Sequence, residues 1–366
     1  MIEVKYVELA KQNKIFNINY KKIFNDFINS GNYILGKKVE SFEKYFASYI
    51  GCKYAVGVSS GTAALYLALK SIKLKKNDEV ITVSNSYLAS VSAISLAGGK
   101  IVFADVNKSN FNISVENIKK KINKNTKAII VVHLTGRPAE INEIKKLANK
   151  NKIVVIEDCA QAVGAKFSNK KVGSFGDFGC FSFHPLKNLN SFGDSGIITT
   201  NSKKKYEWLI KARNHGHPDR DNCDFFSHNL RMDAFHATIL REKIKHVDKI
   251  IKKRRANAKL YFKKLKNFVK FPAEDIKNFS VYHLMMIRVK NRDLLINYLR
   301  KKNIETKIHY PIPAHRMNVL RKKTYSLKVT EKLSKEILSL PINESLNFNQ
   351  INYVCDQIVK FYSTSK

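Results

Sequence analysis

The sequence predicts an α/β protein, a mostly parallel sheet with flanking helices followed by a smaller C-terminal α+β domain. Three observations carry this. Short strand-like runs at 54–58, 79–83, 100–105, 127–132 and 153–156 alternate with helical segments at about the spacing of βα units. The run Ile153-Val154-Val155-Ile156 is apolar throughout, as a parallel strand covered on both faces is. At 366 residues the chain can fill a full core and favours two domains, expected at 1–245 and 246–366.

Taken in order, residues 20–28 space their apolar side chains for one helix face, and Ser30-Gly31 stops that helix. A second helix follows Gly36, with Val39, Phe42, Tyr45 and Phe46 as its core stripe. The strand at 54–58 leads into Ser59-Ser60-Gly61-Thr62-Ala63-Ala64-Leu65, which opens a helix. Strand, small residues and helix start together aim free N–H groups and the positive end of a helix dipole at a phosphate. The next unit repeats this pattern and carries Tyr87-Leu88-Ala89-Ser90. The strand at 153–156 ends in Glu157-Asp158, a carboxylate where open α/β sheets bind ligands. Two further strands, Cys180-Phe181-Ser182-Phe183 and Ile197-Ile198-Thr199-Thr200, flank a polar turn that holds Lys187. Pro185 stiffens the approach to that lysine, and the glycines after it let backbone come close to a ligand. Beyond lie Arg213-Asn214-His215-Gly216, the stretch 227–233, a helical run over 234–265, a strand at 282–289 and a helix at 292–302. In 308–315 the prolines deny the chain a helix or a central strand, which predicts a fixed loop.

The formal charge is +36, an excess that ordinarily marks nucleic-acid binding. Here the lysines spread over nearly every helix face, so they read as a solvated surface with a minor role in steering anionic substrates. No specific nucleic-acid partner is expected. No run approaches the eighteen or so apolar residues of a membrane helix, and residues 1–12 lack a signal pattern, which predicts a cytoplasmic protein without membrane association. Five cysteines, widely spaced, suit reduced thiols and indicate neither a zinc site nor disulfides.

The Asp158 and Lys187 stretches together resemble the DegT/DnrJ/EryC1/StrS family of PLP-dependent nucleotide-sugar aminotransferases, of the aspartate-aminotransferase fold (fold type I), over about residues 35–315. The resemblance implies pyridoxal 5′-phosphate as cofactor, with Lys187 bonded to it and shuttling protons. It further implies that Asp158 pairs with the pyridine nitrogen and that Ser182 holds the phosphate beside Gly61, Thr62 and Ala63. Tyr87 would stack on the ring and Gln161 would meet its 3-oxygen side. Asn229 matches a residue that crosses from the partner subunit to the cofactor phosphate, which implies a homodimer with shared sites; Phe235-His236 stands where relatives usually carry Leu-Gln. His309, Tyr310 and His315 match an HYPxPxH segment beside the substrate. The chemistry asks for these residue types on its own terms: a carboxylate within about 4 Å shifts a neighbouring pKa by roughly one to three units, and an amine becomes nucleophilic when desolvated.

Lysine at 187, where a dehydratase branch of the family has histidine, favours transamination. The expected reaction moves an amino group from L-glutamate to a nucleotide-linked keto sugar, for amino-sugar and surface-polysaccharide biosynthesis. Gly193 lies six residues after Lys187, as in the KNLGxxGDGG pattern of 3-aminotransferases, which leans toward a 3-keto acceptor, although Ser195 breaks that pattern. The alternatives are a 4-keto sugar aminotransferase and a non-catalytic basic regulatory or DNA-binding relative.

Overall fold

A computed structural model describes residues 2–320 and 325–364. In chain order its strands are β1 (Tyr54–Val58), β2 (Glu79–Thr82), β3 (Lys100–Phe103), β4 (Thr126–Val132), β5 (Val154–Asp158), a small hairpin of β6 (Lys166–Phe167) and β7 (Lys170–Lys171), β8 (Phe178–Ser182), β9 (Gly196–Thr200), β10 (Asn278–Phe279), β11 (Met285–Arg288) and β12 (Ile337–Leu340). The helices are α1 (Leu9–Lys14), α2 (Tyr20–Ser30), α3 (Gly36–Ile50), α4 (Gly61–Ser71), α5 (Ala89–Leu96), α6 (Val115–Lys121), α7 (Ile141–Lys150), α8 (Lys203–Ala212), α9 (Ala234–Lys243), α10 (Val247–Leu265), α11 (Arg292–Lys301), α12 (Lys328–Glu336) and α13 (Phe348–Thr364).

Seven strands form the central sheet in the order β1-β9-β8-β5-β4-β2-β3. Pairing is parallel from β8 through β5, β4 and β2 to β3, while β9 runs against both β8 and β1. The lysine turn explains the exception, since it returns the chain directly beside β8 without a helical crossover. Alternate side chains of these strands feed opposite faces: Cys180 and Ile198 join the core under α4 to α7, whereas Phe181, Phe183 and Ile197 join the core under α3 and α9.

A third apolar cluster gathers residues of α10, α11, α13, β11 and β12. Val4 belongs to it as well, through Val4 N–H donating to the Asn303 carbonyl at 2.9 Å and Glu305 N–H donating to Val4 at 3.0 Å. Helix α10 is shared, with Val247 and Ile251 in the second cluster and Ala258, Tyr261 and Leu265 in the third.

Two expectations differ in detail, and one strand was not foreseen. The helical run over 234–265 is interrupted by a 3₁₀ turn at Ile244–His246. The strand at 282–289 shrinks to β11, because Tyr282 sits at φ +46° and the carbonyls of Tyr282 and His283 accept from Arg254 Nη1 at 3.2 Å instead of joining a ladder. Strand β12 follows α12 with no turn residue between them, so nothing local marked the break.

At the β1 edge, the buried Glu43 carboxylate accepts from Gly57 N–H at 2.6 Å and from Arg213 Nη1, which also donates to the Gly57 carbonyl at 3.0 Å. Burial raises the Glu43 pKa, and Arg213 opposes that rise. Replacing Arg213 by Met strands the carboxylate, so unfolding titrations should show a loss of about 3–5 kcal/mol. A raised folded pKa makes the deprotonated state the costly one, so the deficit should be smaller at pH 5 than at pH 8.

Candidate active site

The carboxyl ends of β4, β5 and β8 open onto a cavity of about 590 Å³. Its wall includes Gly61, Thr62, Tyr87, Asp158, Gln161, Ser182, Lys187, His309 and Tyr310, all singled out from the sequence. The placement follows from the sheet, because Asp158 ends β5 opposite Val132 and Cys180, and Ser182 ends β8.

Asp158 is 6% exposed and held from two sides. Ser90 Oγ donates to one carboxylate oxygen at 2.7 Å and Ala160 N–H to the other at 3.1 Å. Burial pushes its pKa up, while those donors and the Lys187 charge work against it. Lys187 sits on a turn closed by its own N–H donating to the His184 carbonyl at 2.9 Å. Burial pulls its ammonium below the ordinary lysine range and Asp158 opposes the shift. The result is an amine and a carboxylate close enough to feel each other in a poorly hydrated cleft, the condition for a nucleophilic lysine.

Opposite them, Ser60 caps α4 by accepting from Ala63 N–H at 3.0 Å. Ala63 is thereby buried in the helix and off the cavity wall, and its N–H is taken, which leaves the N–H groups of Gly61 and Thr62 at the mouth of the helix. A Cβ on residue 61 would lie 2.7 Å from Ser182 Cβ, so glycine lets the helix start press against β8. The helix end, the Ser182 hydroxyl and the absence of a side chain at 61 make a cradle for a phosphate dianion. Together with Asp158 and Lys187 it fits a phosphorylated pyridine aldehyde.

Gln161 is fixed between Thr135 N–H, which donates to its Oε1 at 2.6 Å, and the Tyr310 hydroxyl, to which its Nε2 donates at 3.2 Å. Tyr87 stands just before α5 at 67% exposure, its ring 6.3 Å from that of Tyr310. His309 accepts or donates at Nδ1 with Ser339 Oγ at 3.0 Å, and burial plus the Lys187 and Lys307 charges pull its pKa down to about 4.

His315 is not on the cavity wall. Its ring is buried, with Nδ1 against Ser84 Oγ at 2.6 Å and Nε2 against Glu331 at 3.0 Å, so one nitrogen ties the loop to the segment after β2 and the other ties it to α12. Asn229 is exposed and also off the wall, in a two-residue bridge with Asn214. Residues that sequence reading passed over include Ser60, Ser90, His184, Asp194 and His283. Ser60, Ser90 and Asp194 lay inside quoted motifs, Ser90 as one of three serines on α5, whereas nothing local pointed to His283.

Beside Asp158, the buried trio His133, Glu157 and Cys159 has the spacing of a metal site. The histidine and the carboxylate are already engaged. Glu157 accepts from the N–H groups of Gly173, Phe175 and Gly176 at 2.7–2.8 Å. His133 Nδ1 accepts from Ala139 N–H at 3.0 Å, so Nε2 carries the proton and donates to Glu157 at 3.1 Å.

The sequence pattern of the DegT/DnrJ/EryC1/StrS aminotransferase family matches residues 17–359. The chain is 38% identical, over 98% of its length and 99% of the relative's, to the dTDP-3-amino-3,6-dideoxy-alpha-D-galactopyranose transaminase of Aneurinibacillus thermoaerophilus. It is 34% identical, over 99% of both chains, to a pleiotropic regulatory protein of Geobacillus stearothermophilus. Among solved structures it resembles DesV of S. venezuelae, with a TM-score of 0.96 at 31% identity over 99% of both chains. It also resembles NtdA of Bacillus subtilis, solved with bound cofactor PMP, with a TM-score of 0.91 at 27% identity over 98% of this chain and 85% of that one. The lysine, the carboxylate and the phosphate cradle thus stand in a fold shared along nearly the whole chain: it belongs to the DegT/DnrJ/EryC1/StrS aminotransferase family and is a PLP-dependent aminotransferase.

Proposed function

We propose that the enzyme moves an amino group from L-glutamate to a nucleotide-linked keto sugar, with a 3-keto acceptor favoured, in cytoplasmic amino-sugar and surface-glycan biosynthesis. The observation that carries the reading is the single cavity holding Lys187, Asp158, the α4 cradle and the imidazole and phenol of His309 and Tyr310. The six-residue spacing from Lys187 to Gly193 and the 3-amino-sugar name of the Aneurinibacillus relative support the choice of carbon. Among the described residues no helix is long and apolar enough to cross a membrane.

Each residue has a part that its surroundings allow. The N–H groups of Gly61 and Thr62 and the Ser182 hydroxyl would hold the phosphate, and the Asp158 carboxylate would pair with the ring nitrogen. Tyr87 and Gln161 would serve as the remaining ring contacts. Pyridoxal phosphate, when bound, supplies the electron sink that lets a substrate C–H bond ionise. Lys187 Nζ, desolvated yet near a carboxylate, takes the proton from the reacting carbon and returns it on the far side of the transfer. Neutral His309, its pKa near 4, can accept a sugar hydroxyl without adding charge.

The second half of the reading is a homodimer that completes its sites in trans through Asn229. Helix α2 has no buried residue, and its exposed Phe24 and Ile28 continue through Tyr33 and Ile34 to Phe192 of the lysine turn. An apolar patch of that kind supports an interface running up to the site. The retained Lys187 and Asp158 favour catalysis over a purely regulatory role.

Four measurements test this. Borohydride reduction of the holoenzyme and peptide mapping should put the fixed cofactor on Lys187, and Lys187→Ala should abolish turnover. Gly61→Ala should raise the cofactor dissociation constant by about tenfold or more, since the added Cβ pushes Ser182 and the helix start apart. Mixing Lys187→Ala and Asn229→Ala subunits under exchange should recover activity that neither parent has. In a panel of 3-keto and 4-keto nucleotide sugars run with glutamate, product mass should show amination of the 3-keto members; a 4-keto preference would move the regiochemistry and leave the transamination intact.

A further inference from the structure

A second cavity of about 340 Å³ lies beside the first and shares Leu186, His283 and His309 with it as lining residues. The N-terminal segment at Tyr6 to Leu9 lines it, together with Lys307 and Arg254. Most of the polar atoms lining it are already satisfied. Arg254 is buried and spends its guanidinium on Glu344, at 2.9 Å from Nε, and on the Tyr282 and His283 carbonyls. Glu8 is paired with Lys11 at 2.6 Å, and the Asn343 amide donates to the carbonyls of Lys5 and Tyr6. Gln12 is tied to Glu344 and to Asn190.

Two groups remain over, and both are donors. The Tyr6 hydroxyl is buried with no hydrogen bond of good geometry; the polar group beside it is Ser339 Oγ, which is bonded to His309 Nδ1. Lys307 is an exposed residue that makes no ion pair among the described residues, and its charge, like that of Lys187, reaches the His309 ring. A buried hydroxyl without a well-placed acceptor is costly, and an acceptor entering the cavity would relieve that cost. The annex contributes no uncommitted carboxylate that would repel an anion.

We propose that this annex binds the remote anionic group of a substrate whose reacting end lies at Lys187, with Tyr6 Oη and Lys307 Nζ as its donors and His309 as the divider between the two chambers. The proposal rests on the aminotransferase reading. The shared chemistry is an oxyanion, which can be the side-chain carboxylate of the amino donor or the diphosphate of the sugar nucleotide.

The variants are Tyr6→Phe, which removes only the hydroxyl, Lys307→Gln, and Lys307→Arg as the conservative partner, each prepared as holoenzyme. One arm follows the cofactor absorbance during the half-reaction with L-glutamate and, separately, with neutral L-glutamine. The other measures UDP and dTDP binding by calorimetry. In Tyr6→Phe and Lys307→Gln the half-saturating concentration should rise about tenfold in one arm, with the limiting rate within about twofold and Lys307→Arg close to wild type. A rise for glutamate but not glutamine assigns the annex to the donor carboxylate; a rise for the nucleotides assigns it to the diphosphate. Unchanged values in both arms, or equal rises for glutamate and glutamine with unchanged nucleotide binding, overturn the annex while leaving a wild type that still reacts. A wild type inert to amino acids and nucleotides would overturn both readings.

Discussion

The Glu157 carboxylate has no solvent exposure and accepts from three backbone N–H groups and one imidazole. Those donors come from the 173–176 loop that leads into β8 and from the His133 end of β4. One side chain therefore locks the relative height of three neighbouring strands, and its neighbour in sequence is Asp158. Because side chains alternate along a strand, fixing Glu157 on one face fixes Asp158 on the other. The donor count also explains why a buried anion is tolerated here, since each N–H offsets part of the desolvation cost.

The next layer out is the lysine turn. Its geometry draws on side chains far apart in sequence. Asn188 donates to the Val281 carbonyl at 3.1 Å, and Asn190 donates to Pro185 at 2.7 Å and to Gln12 at 3.0 Å. Lys243 donates to Asn190 at 2.6 Å from a position so buried that its pKa falls to about 8. The turn that carries the reactive amine is thus held from below by a polar network whose members come from α1, α9 and the small C-terminal body.

Much of this was legible in the chain itself. Each parallel strand announced itself by a short apolar run, and Asp158, Ser182 and Lys187 sat at ends or turns that short-range rules recognise. Tyr310 and His309 were readable through the HYPxPxH resemblance, on a loop that two prolines fix. What was not readable depends on long-range closure. His283 lies in the cavity because Arg254 breaks the strand before β11, and His315 leaves it because Ser84 and Glu331 claim both ring nitrogens. Ala63 resembled a cradle residue by position, yet the Ser60 cap uses its N–H. In each case the deciding partner lies in another element or in a cap geometry that residue types alone do not specify.

The bridge between Val4 and Ile304 spans almost the whole chain. During synthesis the first few residues emerge long before the strand they pair with, so the C-terminal body cannot seal until Ile304 and the later β12 have left the ribosome. The large sheet, whose seven strands end at Thr200, has no such wait and can assemble first. The order of synthesis is therefore written into the topology: the strands of the sheet are all made before the wall formed by Tyr6, His283 and His309 can close over the cleft.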